Sequence, residues 1–155
     1  MNAIELKKVA KKLKINNFLG VFAVDELISL PKGICGTLIF NTDTSENQGQ
    51  HWIALCISKK NVYYFDSLNL HFVFVSQIYK FLNDLNKDLF YNRIKTQTNN
   101  STTCGIHCIV FCYHMTNSKT ISRKCFDQFL SSFKHLAINK REQLMVKKYS
   151  ILMKK

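Results

Sequence analysis

A cysteine lies at the junction between a polar loop and an apolar segment, and it is the first candidate for chemistry. The segment from Thr96 to Thr103 is polar, and an apolar run from Ile106 to Met115 follows Cys104 without proline. This pattern predicts a loop that leads directly into a buried helix. At the start of that helix, free backbone N–H groups and the helix dipole favour an anion, so the pattern indicates a nucleophilic thiolate. The alternative is a small buried core residue, because most free cysteines pack as apolar side chains.

A histidine and an aspartate lie at positions from which they could assist this thiol. A thiol nucleophile needs a base within hydrogen-bond reach and a group that orients the base. His51 begins one predicted strand and Asp66 ends the next. An antiparallel register that places them opposite each other has its midpoint between Ser58 and Lys59, within the predicted turn. A slip of one residue would put them on opposite faces. Taken singly, each is also compatible with an ordinary strand end or turn cap.

Length and composition predict one globular domain over residues 1–155. The chain is 46% hydrophobic and 12% aromatic, which is sufficient for a packed core. We find no signal peptide and no apolar run long enough to span a membrane, so we expect a protein that is not secreted and not membrane-bound. Reduced thiols are therefore expected at the six cysteines, which are Cys35, Cys56, Cys104, Cys108, Cys112 and Cys125.

The net charge of +12 predicts attraction to polyanions such as DNA, without sequence preference and with a strong dependence on salt. Scattered lysines often serve only solubility, but here the basic residues cluster near both ends of the sequence: Lys7, Lys8, Lys11, Lys12 and Lys14, and then Lys140, Arg141, Lys147, Lys148, Lys154 and Lys155.

The order of predicted elements indicates an α+β fold whose central, mostly antiparallel sheet is packed by helices. The first helix starts with the capping pair Asn2 and Glu5, and the last with a second pair, Asn139 and Glu142. The predicted elements are a helix over 3–14, strands over 34–40, 51–57 and 62–66, a helix over 73–85, a short strand over 89–95, the helix that follows Cys104, a helix around 126–133 and the last helix.

Several of these residues occur in an order that resembles the adenovirus protease (adenain) family of cysteine peptidases, in a short version as found in viruses or virus-like mobile elements. The similarity is carried by His51-Trp52, Asp66, Gln97 and Cys104-Gly105, and further by Phe18-Leu19-Gly20, Asn41-Thr42, Tyr64-Phe65 and Glu142-Gln143-Leu144. The resemblance implies a papain-like or adenain-like cysteine protease fold, which is related to that of the ubiquitin-like-protein proteases, with the nucleophile at the N-terminus of a buried helix.

The resemblance also implies a role for each site residue. Cys104 would be the nucleophile, His51 the base, Asp66 the acid that orients the base, and Gln97 the side-chain donor of the oxyanion hole. It implies a cysteine endopeptidase that processes viral capsid or core precursor proteins at sites with small residues such as glycine. Such an enzyme would be a monomer in the virion and in the host nucleus or cytoplasm, and its chemistry would need no cofactor.

Activation is where this sequence differs from the family pattern. Adenovirus members are activated by a short peptide that forms a disulfide with a cysteine upstream of the nucleophile. The corresponding stretch here, about Asp84 to Asp88, contains no cysteine. We therefore do not expect a disulfide-linked peptide activator, whereas DNA remains a candidate activator.

Three alternatives compete with a viral precursor protease. The first is a metal site built from Cys/His side chains; we expect no metal, because zinc ligands usually come in pairs from a turn and a second element, whereas these follow a single helix at Cys104, His107, Cys108, Cys112 and His114. The second is a basic, non-catalytic nucleic-acid-binding protein. The third is a protease that removes ubiquitin-like modifiers from host proteins.

Overall fold

A five-stranded sheet lies at the centre of the computed structural model, which describes residues 1–70, 76–118 and 121–155. Helices pack on both of its faces. In chain order the elements are α1 (Ala3–Lys12), β1 (Phe18–Ala23), a 3₁₀ helix (Val24–Ser29), β2 (Gly36–Asn41), β3 (Trp52–Ile57), β4 (Asn61–Phe65), α2 (Ser76–Asp84), β5 (Asp88–Tyr91), α3 (Cys104–Asn117), α4 (Arg123–Ser131) and α5 (Ile138–Met153).

The sheet is mixed, so the prediction of a mostly antiparallel sheet is wrong, although the α+β class is confirmed. The strand order is β1-β2-β3-β4-β5. The two central pairings, β2 with β3 and β3 with β4, are antiparallel, and the two outer pairings are parallel. Parallel neighbours need a connection that crosses from one end of the sheet to the other. The 3₁₀ helix supplies that connection between β1 and β2, and α2 lies in the one between β4 and β5.

Most of the predicted elements are present with shifted boundaries. The hairpin of β3 and β4 and the capping box at the start of α1 are confirmed. The strand predicted over 89–95 ends earlier, at Tyr91. The first residues of the helix predicted over 73–85 lie outside the described residues, and the rest forms α2. Strand β1 has no counterpart among the predicted elements, because the glycine within its apolar run interrupts the pattern that indicates a strand.

Strand β3 separates two hydrophobic cores, and its alternate side chains enter both. Ala54 and Cys56 pack with residues of α1, α3, α4 and α5, while Ile53, Leu55 and Ile57 pack with the 3₁₀ helix and α2. A strand that is buried on both faces needs the nearly continuous apolar sequence observed here. The outcome is a rigid central strand whose first residue follows His51 directly.

Phe111 lies at the centre of an aromatic cluster beneath the sheet, and its truncation is expected to be strongly destabilising. The ring is fully buried, stacks on Phe65 with centroids 4.9 Å apart and meets Phe129 edge-on at 5.4 Å. We expect Phe111→Ala to lower the free energy of unfolding by about 3–5 kcal/mol, because it leaves a cavity that this packing cannot fill. Urea denaturation followed by circular dichroism measures the loss. Tyr79→Ala, at a side chain that is 53% exposed, is the control and should cost less than about 1 kcal/mol. A similar loss in both variants would contradict the packing argument.

Among the described residues, no helix combines the length and the apolar character needed to cross a membrane.

Candidate active site

Cys104 is the first residue of α3, so the predicted loop running into a buried helix is confirmed. Its side chain is almost buried, at 9% exposure, and the helix it begins is buried over most of its length. Thr103 is the N-cap, and its side chain makes no capping hydrogen bond to the helix. The first backbone N–H groups of a helix have no partner within that helix. The thiol therefore lies among free donors at the positive end of the helix dipole.

His51 and Asp66 are in direct contact beside the hairpin. His51 Nε2 lies 2.6 Å from Asp66 Oδ1, and both side chains are buried. The predicted register is nevertheless wrong by two residues. The observed pairs run from Ala54 with Phe65 to Ile57 with Val62. If this register continued, Ile53 would lie opposite Asp66, and His51 is two residues before Ile53.

The structural reason for this shift lies in the turn. Ser58 donates from its backbone N–H to the carbonyl of Asn61 at 2.8 Å, and its hydroxyl accepts from the Asn61 N–H at 3.0 Å. These bonds leave only Lys59 and Lys60 at the tip. Because side chains alternate with a period of two, a shift of two residues preserves the face, and His51 and Asp66 still meet.

A network of hydrogen bonds fixes the Asp66 carboxylate. Besides His51, Oδ1 accepts from the backbone N–H of Leu68 at 2.9 Å, and Oδ2 accepts from that of Leu70 at 2.7 Å. Asn92, which directly follows β5, holds the backbone of Asp66, accepting from its N–H at 2.8 Å and donating to its carbonyl at 2.7 Å. Sequence reasoning missed Asn92, because its partner is distant in sequence and only the pairing of β5 with β4 brings them together.

The thiol of Cys104 and the imidazole of His51 are hydrogen-bonded to each other, and each changes the pKa of the other. Burial opposes the charge on His51, but the hydrogen bonds and charges of Asp66 and Cys104 outweigh it and raise its pKa to about 9. Burial likewise opposes the Cys104 thiolate, but the hydrogen bond and charge of His51 and the backbone N–H groups of Trp52 and Gly105 lower its pKa below the usual value. Both changes favour a thiolate–imidazolium pair. Because Nε2 binds Asp66, Nδ1 is the ring nitrogen that remains for the thiol.

Gln97 is tied to the residue that follows Asp66. Its side-chain Oε1 accepts from the hydroxyl of Ser67 at 2.6 Å, and its Nε2 donates to the carbonyl of Ser101 at 2.7 Å. The carbonyl of Ser67 accepts from the backbone N–H groups of Thr96 and Gln97. Ser67 therefore fixes the orientation of the Gln97 side-chain amide: its oxygen faces Ser67, and its NH₂ group faces Ser101. A primary amide has two N–H bonds, so one remains for a further acceptor.

Glu142 supports the loop between Gln97 and Cys104, so its predicted pairing with Asn139 at the start of a helix is wrong. Helix α5 has Ala137 as its N-cap, and no side chain caps it. Glu142 Oε2 accepts from the backbone N–H and hydroxyl of Thr98, at 3.2 and 2.6 Å, and Oε1 accepts from the hydroxyl of Thr103 at 2.7 Å. Local sequence patterns cannot reveal these contacts, because the partners are about forty residues apart.

Cys108, Cys112 and His107 of α3 belong to the core, whereas His114 is only half-buried and lies beside the carbonyl of Cys125. Cys108 and Cys112 are fully buried and pack among hydrophobic residues. His107 is also fully buried, and its Nδ1 lies 2.9 Å from the hydroxyl of Thr96. Burial and the nearby charge of His51 lower the pKa of His107 to about 4, against the opposing effect of Glu142, so the ring is neutral at physiological pH. No group of three potential ligands converges on a metal site within residues 1–70, 76–118 and 121–155.

Cys104, His51 and Gln97 line one cleft of about 880 Å³, and Asp66 lies behind His51. The start of α1 forms one wall: the Trp52 indole donates to the carbonyl of Met1 at 2.9 Å. Side chains at the start of α1 also pack closely against Gly105, where an added Cβ would come within 3.2 Å of the Met1 and Leu6 side chains.

The loop before His51 forms another wall of the cleft, and Asn41 organises it. The Asn41 side chain accepts from the backbone N–H groups of Asp43 and Gln50 at 2.9 and 3.1 Å. Gly49 lies against this side chain with a φ of +81°, and an added Cβ would come within 2.4 Å of the Asn41 amide nitrogen. Only glycine fits both the backbone conformation and the space. These contacts hold the loop that leads into His51.

This arrangement can perform acyl transfer to a thiol, and comparison with known proteins identifies its family. The chain is 30% identical over 145 residues to the protease of ovine adenovirus D serotype 7 (isolate OAV287), covering 83% of this chain and 72% of that protein. It is 32% identical over 127 residues to the protease of bovine adenovirus 2, covering 73% and 62% of the two chains. The chain belongs to the adenovirus protease family. The resemblance seen in the sequence is thereby confirmed, and membership of this family supports a viral protease, which is a hydrolase.

Other comparisons add less to the assignment to the adenovirus protease family. No protein-family model matches the chain. Among solved structures, the central domain of an uncharacterized protein from Legionella pneumophila aligns with a TM-score of 0.47 at 11% identity, covering 89% of this chain and 88% of that one. A deletion variant of AvrA aligns with a TM-score of 0.46 at 12% identity, covering 98% and 86%. The family assignment therefore rests on the two viral proteases.

Proposed function

We propose that the protein is a cysteine endopeptidase of the adenain-like type, with Cys104 as nucleophile, His51 as base and Asp66 as the group that orients the base. The observation that carries this proposal is the contact of His51 with Asp66 on one ring nitrogen, at 2.6 Å, and with the thiol of Cys104 on its other side. Nucleophile, base and orienting acid in this sequence of contacts meet the geometric requirement for covalent acyl transfer.

In the proposed reaction, the Cys104 thiolate attacks the carbonyl carbon of the scissile peptide, and the carbonyl π electrons move to oxygen. The side-chain N–H of Gln97 and the backbone N–H of Cys104 hold that oxyanion; one such donor contributes on the order of 3–4 kcal/mol in a related mechanism. His51 gives its proton to the leaving amine as the C–N bond breaks. It then takes a proton from water, which attacks the thioester and releases the carboxylic acid and the thiolate.

The proposed substrates are viral capsid or core precursor proteins cut at sites with small residues such as glycine. Relatives from two adenoviruses carry the name protease, and a protease of a virus has precursor proteins of that virus as its available substrates. We propose that the enzyme works as a monomer in the virion and inside the host cell, without a cofactor in the bond-breaking step and without a disulfide-linked peptide activator.

A basic surface formed by α1 and α5 supports a second proposal, which is binding to DNA as an activator. Lys12 Nζ donates to the carbonyl of Met153 at 2.8 Å, so the end of α1 lies beside the end of α5. The two lysine clusters that are separated in the sequence therefore adjoin in the fold, where Lys11, Lys12, Lys154 and Lys155 are exposed. Adjacent positive charges attract a polyanion more strongly than scattered ones, particularly at low salt.

One set of assays tests both proposals. We expect the purified protein to cleave a peptide reporter with glycine before the scissile bond. Duplex DNA should increase the rate at low salt, and this increase should disappear at high salt. A reporter bearing a ubiquitin-like modifier is the comparison substrate; faster cleavage of that reporter would contradict the proposed substrate class. DNA binding without cleavage of either reporter, with or without DNA, would overturn the endopeptidase proposal.

A further inference from the structure

We propose that Glu142 is a positioning residue that, through Thr98 and Thr103, holds the loop between Gln97 and Cys104 in the geometry of the oxyanion site. This inference rests on the endopeptidase function proposed above. The contacts themselves do not depend on it, because both oxygens of the Glu142 carboxylate bind residues of this loop.

The two ends of the loop are the points that matter for the chemistry. Thr98 directly follows Gln97, and Thr103 directly precedes Cys104. The carboxylate of Glu142 bonds to both threonines, so one rigid group sets the separation between the two ends. Those ends carry the two oxyanion donors, namely the side chain of Gln97 and the backbone N–H of Cys104. Donors of this kind act only when they already lie at hydrogen-bond distance from the developing charge.

The hydroxyl of Thr103 binds Glu142 and does not cap helix α3. As N-cap of α3, Thr103 is in the position where a threonine side chain usually accepts from a helical N–H. Here it makes no such bond and donates to Glu142 Oε1 at 2.7 Å instead, while lying 2.8 Å from the hydroxyl of Ser101. Ser101 in turn accepts from Gln97 Nε2 through its carbonyl. The carboxylate is therefore connected to the oxyanion donor by a short chain of hydrogen bonds.

Helix α5 provides a firm base for Glu142. The neighbouring Arg141 donates from Nε to the carbonyl of Phe133 at 2.9 Å and from Nη1 to the carbonyl of Lys95 at 2.9 Å, just before the loop. Hydrogen bonds from the loop outweigh burial and lower the pKa of Glu142 to about 2. The carboxylate is thus ionised at every pH at which the proposed enzyme would act, and its hold on the loop does not vary with pH in that range.

The test compares Glu142→Ala, Glu142→Gln and Thr98→Val with the wild type. Turnover is divided by the number of active sites that a thiol-directed probe titrates, so that unfolded molecules do not count. We expect Glu142→Ala to lower kcat by about 10–100-fold with KM within about threefold, because the loss acts on the transition state. Glu142→Gln should lose less, since the Thr103 hydroxyl can turn to accept from the new amide. The double variant Thr98→Val/Glu142→Ala should have nearly the same kcat as Glu142→Ala alone. Each substitution removes the same hydrogen bond between the Thr98 hydroxyl and Glu142, so the second adds little to the loss.

The controls separate failure of this inference from failure of the proposed function. Asp127→Asn removes an exposed carboxylate that pairs with Arg123 on α4, away from the cleft, and should keep wild-type turnover. Wild-type turnover per titrated site in Glu142→Ala would overturn the positioning role while leaving the endopeptidase intact. If the wild type itself cleaves nothing, amide hydrogen exchange over residues 96–105 still tests the positioning role of Glu142. Faster exchange in Glu142→Ala than in the wild type would support that role, and unchanged exchange would overturn it.

Discussion

Replacing Cys104 by serine is expected to abolish peptide hydrolysis while leaving the fold intact. The hydroxyl is similar in size to the thiol, so α3 should begin as before. The serine hydroxyl has a far higher pKa than a thiol, however, and the ion pair with His51 cannot form. Removing the nucleophile of such a site costs on the order of 10⁴–10⁶ in kcat. The initial rate of reporter cleavage measures this loss, and circular dichroism checks the fold.

Cys35→Ser is the matched control, because it makes the same substitution at a cysteine that is exposed and away from the cleft. Its turnover should equal that of the wild type. If Cys104→Ser kept more than about one hundredth of the activity, a different group would be the nucleophile, and the proposed mechanism would be wrong. A loss of activity in both variants would point to a general effect of substituting cysteine.

The second large effect is expected in the reactivity of the Cys104 thiol when His51 is replaced by alanine. In the wild type, the pKa of Cys104 is lowered and that of His51 is raised to about 9. At pH values above the lowered pKa of Cys104 and below that of His51, the thiolate–imidazolium pair persists, and alkylation by iodoacetamide should change little with pH. In His51→Ala, only the backbone N–H groups oppose the effect of burial. A thiol of ordinary pKa near 8.5 is ionised to only about one part in 300 at pH 6, so labelling of His51→Ala at that pH should be much slower than labelling of the wild type, whose lowered pKa gives a larger thiolate fraction.

Mass spectrometry of the peptide that contains Cys104 gives the labelling rate directly, on a Cys35→Ser background that removes the exposed thiol. His135→Ala replaces an exposed histidine and should leave the rate unchanged. Reporter cleavage should follow a bell-shaped curve: it falls at low pH as the Cys104 thiolate takes up a proton, and it falls near pH 9 as His51 loses the proton that the leaving amine needs. Equal labelling of wild type and His51→Ala at pH 6 would show that no such ion pair forms.

The sequence alone was sufficient to predict the candidate nucleophile and its local setting. A polar loop followed by an unbroken apolar run determines a buried helix that begins at Cys104, because both signals are local and helical periodicity is not altered by distant contacts. The hairpin of β3 and β4 follows for the same reason, since apolar strands separated by a short polar turn pair with each other. The order of His51, Asp66, Gln97 and Cys104 then sufficed for the resemblance to the adenovirus protease family, which the two viral relatives confirm.

Tertiary structure decided the features that depend on pairing between distant segments. The sheet is mixed because two crossing connections place strands in parallel, and no local pattern reports the direction of a neighbour. The hairpin register differs by two residues from the expected one, because the bonds between Ser58 and Asn61 close the turn later than its composition suggested.

The residues that support the site also emerged only from the fold. The side chains of Ser67, Asn92 and Glu142 hold Gln97, Asp66 and the loop before Cys104. Their hydrogen bonds span 26 to 39 residues of sequence. For Glu142 the sequence predicts a helix cap, because an acidic residue three positions after an asparagine satisfies that pattern locally. A polar side chain can satisfy several local patterns equally well. Only the packing of α5 against the loop determines which partner it binds.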